Sequence, residues 1–314
     1  MPADRPDLAF AEYERHVDEL VRAALDAADP ARALRAHWPP EPAGSGPLAV
    51  VGAGKAALEM ALELERLAGG RLQSGAVAVV PQRLERLEQR PTSFDCYPAA
   101  HPLPDERSVR AGQAIADTAR ALGEGDTLIV LLSGGGSAML TLPAAGLTLD
   151  DLRVVTGALQ AAGANINDLN RVRKHCEQLK GGGLARLAYP ARVQAFILSD
   201  VVGDPLDVIA SGPTAPDPTT YAEALDVLGR YGLRDVSPAV TAHLEAGARG
   251  ERPETAKPGD PAFEHVTNTL IGSNRMALEA VRQRAEAQGW RVAAVESEVE
   301  GEAREVGARL AAQV

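Results

Sequence analysis

The chain has 314 residues, of which 45% are hydrophobic and 24% are charged, which is the composition of an ordinary globular protein. Its formal net charge of −11 argues against nucleic acid or an anionic membrane as the main partner, because both repel a negatively charged surface. The length predicts two domains, or one large domain with an extension.

The cysteines and the apolar segments indicate a cellular compartment. Cys96 and Cys176 lie far apart and lack the spacing of a metal site or of a disulfide framework. The N-terminal segment lacks the apolar core of a signal peptide, and no apolar run approaches the roughly 20 residues of a membrane span. These observations predict a cytoplasmic protein without a membrane or nucleic-acid partner.

Strands and helices alternate along most of the chain. Apolar spacing predicts helical structure over 8–36, and then a strand, a glycine turn and a helix in PLAVVGAGKAALEMALELERL. The strand GAVAVVP precedes a helix over 105–122, and DTLIVLL is the next strand. Helices over about 148–163 and in INDLNRVRKHCEQL precede the buried strand ARVQAFILSD. This alternation predicts an α/β fold, a Rossmann-like parallel sheet with helices on both faces.

The composition changes near residue 250. The segment GARGERPETAKPGDPA is rich in proline, glycine and charge, which is typical of a linker. We predict a Rossmann-like N-terminal domain over 1–250, a linker over 251–265, and the incomplete start of a smaller α/β domain over 266–314. Because so small a second sheet buries little apolar surface, we expect 1–250 to fold by itself.

The first glycine turn, VGAGKAA, has a cation at the start of a helix. Gly52, Gly54 and Ala57 fit a variant of the dinucleotide-binding fingerprint. Such a site needs an acid at the end of the second strand, and the first acid there, Glu85, comes too late. A Walker A motif also fails to match. Lys55 beside exposed backbone donors therefore indicates an anion site, with a solvated surface lysine as the alternative.

The second glycine turn follows the apolar strand LIVLL and comprises Ser133, Gly134, Gly135, Gly136 and Ser137. Backbone N–H groups without side chains can approach a phosphate closely. The alternative is a simple turn in which Ser137 caps the next helix. Three consecutive glycines exceed what a cap requires, so the pattern favours a phosphate cradle.

A basic cluster follows in NRVRKHCEQLKGGG, which carries Arg171, Arg173, Lys174, His175 and Lys180. A charge run of this kind is typical of a solvated helix face. Lys180 directly precedes glycines, however, so its ammonium and their N–H groups could meet the same ligand. His175 alone is more often structural than catalytic.

Two carboxylates follow the last buried strand. Asp200 and Asp204 lie in SDVVGD, where acids commonly hold Mg²⁺ or orient a hydroxyl group, and an Asx turn is the alternative. The next loop adds backbone donors and the hydroxyls of Ser211 and Thr214. The loops GAGKAA, SGGGSA and SDVVGD each follow a strand, and parallel sheets bind ligands where loops leave the carboxyl ends of strands.

The order of these motifs resembles a known family. VVGAGKAA, HPLPDERSVRA, LLSGGGSAML, INDLNRVRKHCEQLKGGGLA, ILSDVVGDPLDVIASGPTAPDPTTY and IGSNRMAL occur as in the glycerate 2-kinase family, which has a C-terminal MOFRL domain and is sometimes labelled hydroxypyruvate reductase. The resemblance implies ATP- and Mg²⁺-dependent phosphorylation of D-glycerate at its 2-hydroxyl, in a cleft between a Rossmann-like domain and a second domain.

Together, the loops and the resemblance assign roles to residues. Lys55 and Asp200 are the expected catalytic residues, Asp200 and Asp204 the expected metal ligands, and Gly54, Lys55 and Asn274 the expected substrate contacts. Nucleotide or phosphate binding is assigned to a larger set of loop residues: Ser133, Gly134, Gly135, Gly136, Ser137, Lys180, Gly181, Gly182, Ser211, Gly212 and Thr214. The expected partners are glycerate and ATP, and a homodimer is the assembly to test.

The chain departs from the family pattern in two ways. Glu177 stands where the family usually carries serine. Family members are also longer, so the chain resembles a C-terminally truncated member, and we expect negligible turnover from it alone. Two other functions stay open, an NAD(P)H-dependent hydroxypyruvate reductase and a nucleotide-binding fragment without turnover. The missing acid after the second strand argues against the reductase.

Overall fold

A computed structural model describes residues 10–39 and 46–312. Six parallel strands form one sheet within these ranges, in the order β3-β2-β1-β4-β5-β6. The strands are β1 (Leu48–Ala53), β2 (Leu72–Val79), β3 (Asp95–Pro98), β4 (Thr127–Leu132), β5 (Arg192–Leu198) and β6 (Val266–Gly272). The predicted α/β class with a parallel sheet is confirmed.

Helices connect the strands and cover the sheet. They are α1 (Phe10–Ala27), α2 (Pro30–His37), α3 (Ala57–Ala68), α4 (Pro81–Glu85), α5 (Glu106–Arg120), α6 (Gly136–Met139), α7 (Leu149–Ala161), α8 (Ile166–His175), α9 (Gly183–Ala188), α10 (Tyr221–Arg230), α11 (Pro238–Ala248), α12 (Asn274–Ala287) and α13 (Ala303–Ala311). In the part of the chain that the structure describes, none of them is long and apolar enough to cross a membrane.

The two central strands, β1 and β4, are buried at every position. Alternate residues face opposite sides, so Val50 and Ile129 pack in a core with α2 and α3, while Val51 and Val130 pack in another with α5 and α9. The helices on both faces explain why these strands are continuous apolar runs and do not alternate with polar residues.

A third apolar cluster lies away from the sheet, where α7, α8, α10 and α11 pack together. Each of these helices begins with a polar residue that accepts a backbone hydrogen bond at the first turn: Thr148, Asn165, Thr220 and Ser237. This helical layer follows β4 and β5 in the chain. Within this layer, α8 lies beside the loops at the carboxyl end of the sheet.

The sheet continues past the boundary predicted at residue 250. β6 pairs in parallel with β5, and Thr269 lies opposite Phe196. Residues 251–265, predicted as a linker, also pack on the main body. Ala256 is fully buried, its N–H donates to the Gly181 carbonyl, and its own carbonyl accepts from the Asp217 N–H. The proline and glycine residues of this segment thus form turns in a docked loop.

Candidate functional site

The loops after β1 and β4 lie side by side at the carboxyl end of the sheet. From β1 the chain continues to β2 on one side, and from β4 it continues to β5 on the other. The two connections therefore diverge and leave a crevice between them, which is where ligands bind in sheets of this topology. The loops predicted to carry the site, GAGKAA, SGGGSA and SDVVGD, meet at this end.

Direct hydrogen bonds join the first two loops. The Lys55 N–H donates to the Gly134 carbonyl at 2.9 Å, and the Ala56 N–H donates to Ser133 Oγ at 3.0 Å. Gly54 has a φ of 127°, and a Cβ atom on it would stand 2.5 Å from the Ser133 carbonyl oxygen. Glycine is therefore required there by the close approach of the loops as well as by the backbone angle.

The three-glycine loop is crowded on one side and open on the other. A Cβ atom on Gly134 would overlap the Asp200 carboxylate, and one on Gly135 would stand 2.7 Å from Cδ2 of His101. Among the residues that the structure describes, no group accepts a hydrogen bond from the N–H of Gly134, Gly135 or Ser137. These donors are available to an anion, as a phosphate cradle requires.

Ser137 does not act as a helix cap. Gly135, with a φ of 88°, is the residue that precedes α6, and no side chain caps the helix. The Ser137 hydroxyl lies 3.1 Å from Ser211 Oγ, and the Ser211 hydroxyl in turn donates to Asn170 Oδ1 at 2.9 Å. The chain of hydroxyls thus ties the glycine loop to α8.

Three ionisable side chains surround the glycine loop. The Lys55 side chain is exposed and makes no hydrogen bond or ion pair with any residue in the described ranges. Partial burial and the Lys55 ammonium lower the pKa of His101, and the Asp200 carboxylate opposes this shift. The first two effects favour the neutral imidazole of His101. His101 begins the segment HPLPDE, and its local sequence does not assign it to the site.

The glycine loop forms a wall of a cleft of about 200 Å³. Asp200 and His101 also line this cleft, and α8 contributes Ile166 and Arg173. A neighbouring cavity of about 240 Å³ shares Asp200 and is lined by Asp204 and Asn274 as well. The structure thus places Asp200, Asp204 and Asn274 around one cavity, and Asp200 lines both cavities.

Lys180 lies in the interior. Its side chain is fully buried, and its ammonium donates to the Leu140 carbonyl at 2.8 Å and pairs with the Glu177 carboxylate at 2.5 Å. Burial lowers the pKa of Lys180 to about 8. Glu177, which departs from the family pattern, is therefore the partner that this lysine requires, and neither residue lines the glycine-loop cleft.

The other predicted phosphate ligands also lie behind the cleft. The N–H of Gly181 donates to the Ser211 carbonyl at 3.0 Å, and the N–H of Gly182 donates to the Gly212 carbonyl at 2.7 Å. The Thr214 hydroxyl donates to Asn268 Oδ1 at 2.6 Å. These donors satisfy acceptors within the protein, so the structure does not bring them to the cleft.

The backbone behind the glycine loop is strained. Ala210, Ser211 and Gly212 have φ values of 50°, 63° and 64°, three consecutive residues in the left-handed region. A non-glycine residue there costs roughly 1 to 2 kcal/mol. Ala210 lines the cleft, and a Cβ atom on Gly136 would stand 2.9 Å from its Cβ. Strain of this kind is concentrated at functional sites.

The acidic residues suit a metal ion that arrives with a substrate. In residues 10–39 and 46–312, no cluster of three or more His, Cys, Asp or Glu side chains is arranged to hold a metal by itself. Mg²⁺ bound to nucleotide phosphates takes only one or two protein carboxylates. Asp200 and Asp204, on the rim of one cavity, meet that requirement.

Comparisons with known proteins extend over most of the chain. A family model described as "Domain of unknown function (DUF4147)" matches residues 16–245. The chain is 40% identical over 270 residues to the glycerate kinase of Bos taurus, an alignment that covers 82% of this chain and 50% of that protein. It is 35% identical over 296 residues to the D-glycerate 2-kinase of Thermotoga maritima, covering 93% of this chain and 66% of that protein.

A solved structure shares the fold. The crystal structure of glycerate kinase from Thermotoga maritima superposes with a TM-score of 0.85 at 34% identity, covering 96% of this chain and 69% of that one. The chain spans about half the length of the bovine relative.

Proposed function

Because the chain belongs to the DUF4147 family and is similar to glycerate kinases, we propose that it forms the Rossmann-like part of a glycerate 2-kinase. The reaction transfers the γ-phosphoryl group of ATP to the 2-hydroxyl of D-glycerate. The hydroxyl oxygen forms a bond to the γ-phosphorus as the bond from that phosphorus to its bridging oxygen breaks. The products are ADP, 2-phosphoglycerate and the proton of the hydroxyl group.

The observation that carries this proposal is the convergence of three loops from separate strands. The unpaired N–H groups of Gly134, Gly135 and Ser137 and the Asp200 carboxylate meet at the crevice between β1 and β4, and the Lys55 side chain lies beside Gly135. Phosphoryl transfer needs little covalent help from the protein, and it depends on alignment and on neutralising negative charge. The site provides cationic and backbone donors for both purposes.

Each group has a role that its surroundings support. The N–H groups of Gly134, Gly135 and Ser137 bind phosphate oxygens, and the free Lys55 ammonium neutralises charge on the group in transfer. Asp204 together with Asp200 would hold Mg²⁺, which when bound neutralises the phosphates. Of the two acids only Asp200 also lines the glycine-loop cleft, so we assign to it the proton of the 2-hydroxyl.

The geometry disfavours the reductase alternative. β2 ends at Val79, and the chain enters α4 at Pro81 without an acid at the strand end. A carboxylate at that point is what holds the ribose hydroxyl of a nicotinamide dinucleotide. The crevice therefore has donors for phosphates but lacks the group that would select NADH.

The test is product analysis with the purified full-length kinase. D-Glycerate, ATP and Mg²⁺ are incubated with it, ADP release is followed by a coupled assay, and ³¹P NMR distinguishes 2-phosphoglycerate from 3-phosphoglycerate. A parallel sample contains NADH and hydroxypyruvate. We expect 2-phosphoglycerate in the first sample and no NADH oxidation in the second. Oxidation of NADH by hydroxypyruvate would overturn the assignment.

Two further expectations belong to this proposal. A cytoplasmic location, predicted from the sequence, agrees with the two free cysteines, Cys96 and Cys176. The homodimer stays a prediction, and sedimentation of the purified protein tests it.

A further inference from the structure

The basic cluster around α8 contains one residue whose charge is uncompensated. Arg173 makes no side-chain hydrogen bond or ion pair with anything that the structure describes. The other four members of the cluster each have an acidic partner: Arg171 pairs with Asp168 at 3.1 Å, Lys174 with Asp207 at 3.1 Å, His175 with Glu254 at 3.2 Å and Lys180 with Glu177 at 2.5 Å. These four side chains therefore do not form a solvated helix face, which was the alternative interpretation of the sequence.

Arg173 lies on the face of α8 that meets the glycine-loop cleft. Ile166, Asn170 and Arg173 are spaced four and then three residues apart, so they share one face of the helix. Ile166 and Arg173 both line the cleft. Asn170 between them is buried and accepts the hydrogen bond from Ser211, which contacts Ser137. This connection fixes the position of α8 relative to the glycine loop.

A second unpaired donor lies on the same helix, behind this wall. Nδ2 of Asn170 is buried and has no hydrogen-bond partner in the described part of the chain. A buried amide donor without a partner costs about 1 to 3 kcal/mol, unless a water molecule or a ligand oxygen satisfies it. The unpaired Arg173 guanidinium lines the cleft and favours a ligand with acceptor oxygens, whereas the Asn170 amide lies behind that wall.

The size of the cleft and the shape of the guanidinium narrow the choice of ligand. A volume of about 200 Å³ is below the roughly 300 to 1,000 Å³ of pockets that enclose drug-sized molecules, so it suits a small acid better than a nucleotide. The planar guanidinium matches a carboxylate with two parallel hydrogen bonds. Lys55 and the loop N–H groups remain available for the phosphoryl group.

We propose that Arg173 binds the carboxylate of the phosphoryl acceptor, and that it thereby selects a hydroxy acid over a neutral polyol. The proposal rests on the kinase function proposed above and adds the residue that determines acceptor specificity. Arg173 anchors the end of the acceptor away from the reacting hydroxyl, and the hydroxyl is left facing the glycine loop and Asp200.

The experiment compares Arg173→Gln with Arg192→Gln in the full-length kinase. Arg192 is exposed at the start of β5, at the opposite end of the sheet, so its replacement makes the same change of charge away from the cleft. We expect Arg173→Gln to raise KM for glycerate about 100-fold, the effect of losing a charge-assisted pair. KM for ATP should stay within about twofold in both variants, and Arg192→Gln should match wild type.

Acceptor choice provides a readout that a merely structural role would not change. Glycerol keeps the 2- and 3-hydroxyls of glycerate and has a neutral CH₂OH group in place of the carboxylate, so Arg173→Gln should leave its slow phosphorylation unaltered. The ratio of kcat/KM for glycerate to that for glycerol should therefore fall about 100-fold.

Two further variants test the guanidinium group itself. Methylguanidinium added to Arg173→Ala should restore part of the glycerate activity. Should Arg173→Gln fail to fold, Arg173→Lys keeps the charge without the planar fork, and we expect an intermediate KM.

Three results would overturn the proposal. The first is a raised KM for ATP with an unchanged KM for glycerate, which would make Arg173 a nucleotide ligand. The second is an unaltered ratio of kcat/KM for glycerate to kcat/KM for glycerol.

A binding measurement separates this proposal from the kinase function. If wild type phosphorylates neither acceptor, the kinase function fails, and calorimetric titration with glycerate tests Arg173 separately. Glycerate binding lost in Arg173→Gln would support the carboxylate site, and a third result, binding that is equal or absent in both proteins, would contradict it.

Discussion

At the residue scale, Lys55 is a position where a substitution should change catalysis without changing stability. Its N–H is bonded to the glycine loop, but its side chain is exposed and makes no contact that holds the fold within the described ranges. Replacing the side chain therefore removes a charge beside the glycine loop and leaves the loop geometry in place.

We predict that Lys55→Ala in the full-length kinase lowers kcat for glycerate by about 10³-fold, in line with the loss of one electrostatic contact to the group in transfer. The melting temperature should change by no more than about 1 °C, since no buried contact is lost. Lys55→Arg, which keeps the charge, is the control and should retain measurable activity. A kcat within a few-fold of wild type would show that Lys55 is not catalytic.

Gly134 provides a test of the close packing between the glycine loop and Asp200. A methyl group there overlaps the Asp200 carboxylate, which is the end of a side chain and can rotate away. Gly134→Ala should therefore cost less than about 2 kcal/mol in urea unfolding but lower kcat by about 10²-fold. Gly157→Ala on α7 meets open space and should be active and slightly more stable. Full activity in Gly134→Ala would contradict the role of Asp200.

The lowered pKa of Lys180 predicts that the stability of the fold depends on pH. Its pKa is about 8 in the folded protein, below the roughly 10.4 of an unfolded chain. Below pH 8 both states are protonated and the cost of burying the charge is present in full. Between about pH 8 and 10.4 the unfolded state binds more protons, so the free energy of unfolding rises with pH, by roughly 3 kcal/mol in total.

The measurement compares wild type with Lys180→Met/Glu177→Met. The double replacement removes both buried charges, so its urea unfolding should lack this rise between pH 7.5 and 10. Lys180→Met alone leaves the Glu177 carboxylate buried without its partner and should be destabilised by about 3 to 5 kcal/mol. Parallel stability curves for wild type and the double variant would refute the assignment.

At the scale of elements, the segment 251–265 differs from what its composition predicts. Thr255 donates to Asp217, the guanidinium of Arg186 donates to the Glu254 carbonyl, and Ala256 is fully buried. Residues 291–301 lack regular secondary structure and are largely exposed. The proline and glycine residues of 251–265 therefore shape a docked loop, and the more accessible chain lies after α12.

Limited proteolysis checks this difference. A protease of broad specificity should first cut the described part of the chain within 291–301, because cleavage requires accessible and extended backbone. Mass spectrometry of the early fragments locates the cut. First cleavage inside 251–265 would show that the segment is a linker after all.

At the scale of the whole molecule, β6 completes the sheet and protects β5. Without it, β5 would present an unpaired edge that includes the buried Phe196. Ile271 of β6 belongs to the core formed with α2 and α3. The Rossmann-like unit thus extends beyond the boundary that composition indicated at residue 250.

We predict that a chain ending at residue 250 aggregates or melts about 10 °C or more below the 314-residue chain, because an apolar edge strand becomes exposed. A chain ending at residue 289 retains β6 and α12 and serves as the control. Gel filtration and thermal unfolding followed by circular dichroism measure both. A monomeric 250-residue chain that melts cooperatively at the temperature of the 314-residue chain would contradict this prediction.

Much of the fold was predictable because its signals are local. Continuous apolar runs at β1, β4 and β5, with helices between them, indicate a covered parallel sheet without any tertiary information. β3 escaped prediction since it is a four-residue edge strand without an apolar run. The role of β6 could not be read from the sequence either, because its partner, β5, lies more than 60 residues earlier in the chain.

The candidate site, like the fold, was only partly predictable from the sequence. Lys55, the glycine loop at 134–136 and Asp200 follow strand ends, and the sequence alone determined that they would meet at one edge of the sheet. Only the tertiary structure decided which polar groups face the cleft. His101 and Arg173 line it, whereas Lys180 is buried against Glu177. The physical reason is that burial and pairing of a charge depend on residues distant in the chain, and local sequence patterns do not record those contacts.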